Sequence, residues 1–321
     1  MLIFPNGNNQ RFDSVEAGGS FLTRALLQTL PNVYELSYQK LWSLESDYIP
    51  IVGNLEGYAQ RIEEVRFEAK GEAKEYVDKT SDIPVLTSAF ASDTFNVHTF
   101  AVALEHGLQE LKSLEVYPEK LSKELKNANR VLMQEQHRLL VFGDNGQRNS
   151  TGLFSDTNVP VDGGTYDPLT ATWQDHIDFF AEQITIIEDS NVLSTTVGKM
   201  NITAQLYRIL ATTYQENDSA KSAMEAIMKN YPSVTFHRVN ECRADLLERF
   251  GASPIGTGEE RIVFTPVNDD DQLDRLADAP DAHPPQWRDL SYRTIYYVRT
   301  SQTIIHKPES FRYYNFPSLR A

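Results

Sequence analysis

Residues 118–160 read PEKLSKELKNANRVLMQEQHRLLVFGDNGQRNSTGLFSDTNVP. Pro118 suits the first position of a helix, where its fixed φ is already correct and its missing N–H has no partner to lose. Gly143 suits the left-handed residue just past a helix end. Between them Leu121, Leu125, Ala128, Leu132 and Leu139 recur on a single stripe. The spacing predicts one helix over 118–142, roughly 37 Å long at about 1.5 Å per residue. Helices of about three turns are the norm, and only one side of this one is apolar, so it reads as the backbone of something extended. GDNGQRNSTG, residues 143–152, is built from turn formers and delivers the helix into GLFSDTNVP, residues 152–160.

The bulk composition narrows the function classes. A chain of 321 residues fits one large domain or two modest ones, and 40% hydrophobic residues suffice for a core. The formal net charge of -15 opposes nonspecific binding to phosphate backbones, which needs clustered Lys and Arg. Cys242 is the single cysteine, so no intrachain disulfide can form, and a cysteine-based zinc site lacks ligands. That fits a reducing cytoplasm. The start, MLIFPNGNNQRFDS, has no basic region followed by an apolar run, and no stretch approaches the roughly 18 apolar residues of a membrane span. Neither secretion nor membrane insertion is expected.

Working outward, FLTRALLQTL (residues 21–30) places Phe21, Leu22, Ala25, Leu26 and Leu30 at helical spacing before Pro31. SDTFNVHTFAVA, from residue 92, has strand character, and LEHGLQELKSLE, from residue 104, reads as a helical patch. Beyond the long helix, WQDHIDFFAEQITIIED, ITAQLYRILATT and SAMEAIMKNYP read as helices, SVTFHRV and EERIVFTPV as strands. The tail carries two β-rich runs, SYRTIYYVRT and QTIIHKP. The pattern predicts an α+β protein whose C-terminus returns to the sheet begun near residue 92.

Residues 61–79, RIEEVRFEAKGEAKEYVDK, are the most charged section, with 11 of 19 positions Asp, Glu, Lys or Arg. Ile62, Val65, Ala69, Ala73 and Tyr76 fit an amphipathic helix, whereas Val65, Phe67 and Ala69 alternate with Arg66, Glu68 and Lys70 as in a strand. In the second case Gly71 falls near a hairpin turn. A lone two-stranded ribbon is marginally stable, so such a hairpin must lie on something else, and mixed charges suit a docking surface that sets register and partner choice. The alternative is an exposed helix laced by Glu-to-Lys pairs.

Catalytic signatures are absent: no phosphate loop, nucleophile elbow, zinc helix or dinucleotide turn. Asp175-His176-x-Asp178 is the best cluster for a metal or an acid/base pair, yet it opens an amphipathic helix, where acidic residues favour the positive dipole end and face water. Asp269, Asp270 and Asp271 lack calcium-loop spacing. An α+β enzyme using Asp175 and His176 is the reading of a different class that these residues leave open, and it predicts a small oligomer with a pocket.

The order of features resembles one family. DYIPIVGNLEGYAQRIEEVRF, VDKTSDIPVL, FAVALEHGLQEL, ANRVLMQEQHRLLVFGDNG and GLFSDTNVP, continuing through TTYQENDSAKSAMEAIMKNYPSVTFHRVNE and YYVRTSQTIIHKPESFRYYNF, follow the order seen in major capsid proteins of tailed bacteriophages. Those proteins have the Hong Kong 97-type fold, shared with encapsulins. The resemblance spans roughly residues 45–316 and rests on this order, with no single diagnostic motif. It implies an N-arm over 1–50, an extended E-loop hairpin over 51–90 with Gly71 near its tip, and a peripheral domain over 91–169 with the spine helix at 118–142. An axial domain would cover 170–285, and C-terminal strands over 286–321 would return to the peripheral domain.

The implied function is assembly, without enzymatic activity or cofactor. Subunits would associate as pentamers and hexamers into the icosahedral head of a phage, in the virion, after assembly in the host cytoplasm. Arg61, Glu63, Glu64, Arg66, Glu68, Lys70, Gly71, Lys74 and Glu75 become the inter-subunit residues of the E-loop. Implied partners are further copies of the chain, portal, scaffolding and decoration proteins, and packaged double-stranded DNA held without sequence readout. The same fold leaves an encapsulin-type compartment as the alternative, differing in cargo. Lys70 and Lys74 lie near the loop tip, but no partner Asn or catalytic Glu is assignable, so no cross-link is expected.

Overall fold

A computed structural model describes residues 41–45, 48–55, 57, 59–70, 87–107, 118–144, 148–164, 166–190, 196–216, 218–251, 255–267, 272–288 and 291–319. The helical stripe at 21–30, Gly71, Lys74, Glu75 and Asp269 to Asp271 lie outside the described residues. In chain order the strands are β1 (Ile51–Gly53), β2 (Arg61–Lys70), β3 (Thr87–Gly107), β4 (Val161–Gly163), β5 (Val197–Ile202), β6 (Tyr214–Gln215), β7 (Asp218–Ser222), β8 (Thr235–Arg238), β9 (Glu259–Pro266), β10 (Leu273–Leu276), β11 (Asp281–Ala282), β12 (Gln286–Arg288), β13 (Ser291–Ser301), β14 (Ile304–Ile305) and β15 (Arg312–Pro317). The helices are α1 (Pro118–Phe142), α2 (Trp173–Ser190), α3 (Ala204–Thr212), α4 (Ala223–Asn230) and α5 (Ala244–Arg249).

The long helix forms over the span its punctuation predicts, with Gly143 in the left-handed region at φ 79° and its N–H bonded to the Leu139 carbonyl at 2.8 Å. Its end is closed by the loop that follows. The N–H groups of Leu153 and Phe154 donate to the carbonyls of Leu140 and Val141, both at 2.8 Å, and the Ser155 hydroxyl donates to the Phe142 carbonyl at 2.8 Å. Carbonyls that a helix leaves without partners are thus satisfied by a returning chain, which lets the end be buried. This close approach excludes side chains. A Cβ on Gly152 would sit 2.5 Å from the Val141 carbonyl, and one on Gly143 would sit 2.2 Å from the Ser150 carbonyl oxygen.

Below this junction lies a five-stranded sheet in the order β4-β15-β9-β5-β8, with helices on one side. Ile262 and Phe264 of β9 and Tyr314 and Phe316 of β15 pack with Phe180, Ile184, Leu206, Leu210 and Ile227 of α2, α3 and α4. The alternate residues, Val263 and Tyr313, pack on the other face with Leu140, Val141, Leu153, Phe154 and Trp42. Both faces are buried, and Ile262, Val263 and Phe264 of β9 accordingly form an unbroken apolar run. The helices start where caps predict. Thr203 Oγ1 accepts from the Leu206 N–H, and Ser222 and Glu225 close a capping box at α4.

A second sheet is ordered β11-β13-β3-β2, with β12 also on β13. β3 is 21 residues long and serves two partners in succession: Thr87 to Asn96 pair antiparallel with β2, and Val97 to Gly107 pair antiparallel with β13. Two expectations change here. The helical patch expected from Leu104 is strand as far as Gly107, because each residue from Leu104 to Gly107 is paired along β13. Of the two C-terminal runs, SYRTIYYVRT forms β13 and joins the sheet begun near residue 92, whereas QTIIHKP supplies β14, which pairs antiparallel with β10; beyond the turn at Pro308–Ser310, β15 pairs antiparallel with β9 and parallel with β4.

Gly152→Ala is expected to lower stability by about 2 to 4 kcal/mol, because the loop must withdraw from the helix end to admit the methyl. Thermal or denaturant unfolding of the purified chain measures it, and an unchanged transition would contradict the capping role.

Candidate functional site

Strand alternation sorts the charged residues of β2. Arg61, Glu63 and Val65 are exposed, Val65 at 63%, while Ile62 and Glu64 are half-buried. Arg66, Glu68 and Lys70 continue the strand, opposite Ala91, Ala89 and Thr87 of β3. The structure therefore brings Arg61 and Glu63 to one outward face next to an exposed valine, and turns Glu64 to the other side. There Glu64 Oε1 meets His306 Nδ1 at 2.7 Å. Alternation counted from Arg61 was the signal that separates Glu64 from its neighbours.

The root of this hairpin is fastened by groups that sequence reading missed. Arg299 on β13 donates from Nη2 to the Ala59 carbonyl at 2.7 Å and from Nη1 to the Gly57 carbonyl, and it pairs with Asp278 at 3.4 Å. Asp278 in turn accepts from the Leu55 N–H at 2.9 Å. Asn96, where β3 passes from β2 to β13, donates to the Arg148 carbonyl at 2.7 Å, and His98 Nε2 lies 2.7 Å from Ser150 Oγ. The handover is thereby tied to the loop that follows α1.

That loop is also bound to the sheet beneath. Arg261, fully buried on β9, donates to Asn315 Oδ1 at 2.9 Å and to the Phe154 carbonyl, with its guanidinium 4.6 Å from the Tyr313 ring centroid. Burial lowers its pKa. The Tyr313 hydroxyl donates to the Leu153 carbonyl at 2.6 Å and accepts from the Asp156 N–H at 3.3 Å.

The acid/base candidates disperse. Asp175 closes a capping box with Thr172: its Oδ2 accepts from the Thr172 hydroxyl at 2.7 Å and the Thr172 N–H at 2.8 Å, and its own N–H donates to Thr172 Oγ1 at 3.3 Å. Those bonds hold its carboxyl below the ordinary range. Asp178 accepts from Gln174 at 2.7 Å on the exposed face. His176 is fully buried against the Tyr166 hydroxyl at 2.8 Å, and burial lowers its pKa, so it is neutral. Among the described residues no group of three His, Cys, Asp or Glu side chains could hold a metal. No helix there is long and apolar enough to cross a membrane.

A Ser-His-Glu arrangement does occur, and it is structural. Ser43 Oγ lies 2.6 Å from His137 Nδ1, and His137 Nε2 lies 3.0 Å from Glu241 Oε1, while the Trp42 indole donates to Glu241 Oε2 at 3.2 Å. Ser43 is 0% exposed, so no substrate reaches its hydroxyl. Burial alone would raise the Glu241 carboxyl, but His137 and Trp42 outweigh it and hold it below its ordinary value. The group clamps residues 42–44 onto α1.

The sequence matches the major capsid protein family over residues 71–315. The chain belongs to that family. No curated protein sequence matches it. The capsid of Myoviridae phage XM1 superposes with a TM-score of 0.73 at 19% identity, covering 91% of this chain and 97% of that one. The capsid of an empty GTA particle gives 0.61 at 10% identity, covering 96% and 100%, and Mycobacterium phage Ogopogo gives 0.57 at 12%, covering 92% and 98%. At such identities the superpositions show the fold, which is the Hong Kong 97-type capsid fold expected from the order of features. This major capsid protein is a subunit of a multimeric shell.

Glu241→Ala should cost about 3 kcal/mol or more, because it strands His137 and Trp42 in the core, whereas Glu241→Gln should cost less. Urea unfolding of both variants distinguishes this clamp from a surface pair, for which the two would be alike.

Proposed function

We propose that this major capsid protein builds the icosahedral head of a tailed bacteriophage from pentamers and hexamers, with double-stranded DNA inside. The observation that carries this reading is the family match over most of the chain together with a paired strand that presents Arg61, Glu63 and Val65 outward. Residues 51–90 act as the E-loop, laid across a neighbouring subunit. Exposed charge pairs of this kind contribute about 0 to 1 kcal/mol each, and repetition in closed symmetry makes such weak contacts sufficient while leaving room for correction. Residues 91–169 form the peripheral domain around α1, and residues 170–285 the axial domain. Arg66, Glu68, Lys70, Gly71, Lys74 and Glu75 extend the same contact.

The remaining assignments follow from that role. The subunit acts without enzymatic turnover, is assembled in the bacterial cytoplasm and resides in the virion. Portal, scaffolding and decoration proteins are its partners. A net charge of -15 suits a container for DNA, since an acidic subunit grips phosphate weakly and so favours genome entry and exit.

Expression followed by size-exclusion and negative-stain microscopy tests the reading. Particles or capsomers in the megadalton range are expected. A monomer that never assembles, even beside co-expressed phage partners, overturns it. Deleting residues 66–76 should abolish particles while leaving the circular dichroism and unfolding transition of the subunit intact. A deletion variant that is unfolded would show that the segment belongs to the core.

A further inference from the structure

His306 lies in the turn between β14 and the short helix at Pro308–Ser310, and its N–H donates to the Gln272 carbonyl at 3.0 Å. Its ring is held between two acids on different elements. Nδ1 is 2.7 Å from Glu64 Oε1 on β2, and Nε2 is 3.0 Å from Asp274 Oδ2 on β10. A neutral imidazole has one N–H and one lone pair, so it can donate to only one of these carboxylates and must turn its lone pair on the other. The imidazolium donates to both. Asp274 is 8% exposed and its Oδ1 has no hydrogen-bond partner, so its charge leans on this ring.

Among the described residues, two arginines nearby have partners of their own. The Arg275 guanidinium is directed to the Leu44 carbonyl at 3.4 Å, and Arg299 holds Asp278 and the carbonyls of Gly57 and Ala59. Lys307 follows His306 in the chain and is half-buried. The acids facing the ring are Glu64 and Asp274.

We propose that His306 is the positioning residue of the E-loop: as an imidazolium it ties β2 to the β10-β14 pair, and losing its proton releases that strand at its root. The proposal rests on the E-loop reading of residues 51–90. It adds that the placement of the docking hairpin depends on the second N–H proton of one imidazole ring, separately from the Arg299 anchor on the carbonyls of Gly57 and Ala59. The Asp274 hydrogen bond, opposed by burial and aided by Glu64, pushes the His306 pKa up to about 9. A raised value means that the tie is fully present below the unfolded value of 6.5 and is lost as pH rises through about 9.

Hydrogen exchange on the full chain, corrected for intrinsic rates, reads the tie directly. Between pH 7 and pH 10 the protection of amides 62–66, relative to those of β8, should fall by about tenfold, while residues 53–59 stay unchanged. His306→Gln should show the low protection already at pH 7, and His306→Lys, which stays charged, should keep protection to higher pH. Should the lysine variant fail to fold, Glu64→Gln supplies the second arm: its amide can donate to the lone pair of the neutral ring, so the fall in protection between pH 7 and pH 10 should disappear. Protection of 62–66 that is independent of pH and equal in wild type and His306→Gln overturns the proposal. Particle yield separates it from the broader reading. Fewer particles from His306→Gln at pH 7, rescued by His306→Lys, supports the tie acting in assembly. Absence of particles from every variant with normal exchange behaviour overturns the shell reading and leaves the tie standing.

Discussion

The buried end of α1 is the constraint on which the rest of this subunit depends. A helix of this length finishes with carbonyls that need partners, and here they are satisfied by the backbone of the loop leaving the same helix. That solution demands two residues without side chains, Gly143 for its backbone conformation and Gly152 for its closeness to Val141. Once the loop lies there, Leu153 and Phe154 are driven into the core, and their carbonyls are positioned for Tyr313 and Arg261 of the sheet below. Thr303, after β13, donates to the Leu140 carbonyl at 2.7 Å, so the C-terminal chain meets the same point. Three elements distant in sequence converge on one helix terminus.

Much of this was legible because the punctuation is local. Pro118 and Gly143 bound α1 without reference to anything else, and the helices over 173–190, 204–212 and 223–230 announce themselves through apolar spacing. The failures share a different cause. β5, VGKMNI, went unread because it runs straight into the Thr203 cap, so the strand was absorbed into the helical pattern. The partner of β15 could not be deduced, since Tyr313 and Tyr314 face opposite cores and the run has no polar side. For residues 61–70 two periodicities fit equally, and pairing with β3 decided between them.

The candidate contact surface was legible as a region more than as a set of residues. Charge density pointed to 61–79, but charge alone does not distinguish Glu63, facing solvent, from Glu64, facing His306 across 242 positions of sequence. The clamp of Ser43, His137 and Glu241 is equally nonlocal, with partners 94 and 104 positions apart. The two nitrogens of a histidine can organise elements that meet only in the folded chain.

β3 gives the subunit a mechanical linkage. One unbroken strand is hydrogen-bonded to the hairpin along its first half and to β13, beside α1, along its second, with the changeover at Asn96 and Val97. A pull or twist applied to the hairpin would therefore meet continuously paired strand along this path. It passes through covalent backbone into the sheet against α1 and on to the loop that holds Asn96 and His98. A load on the hairpin would in this way reach the helix end on which the core is built.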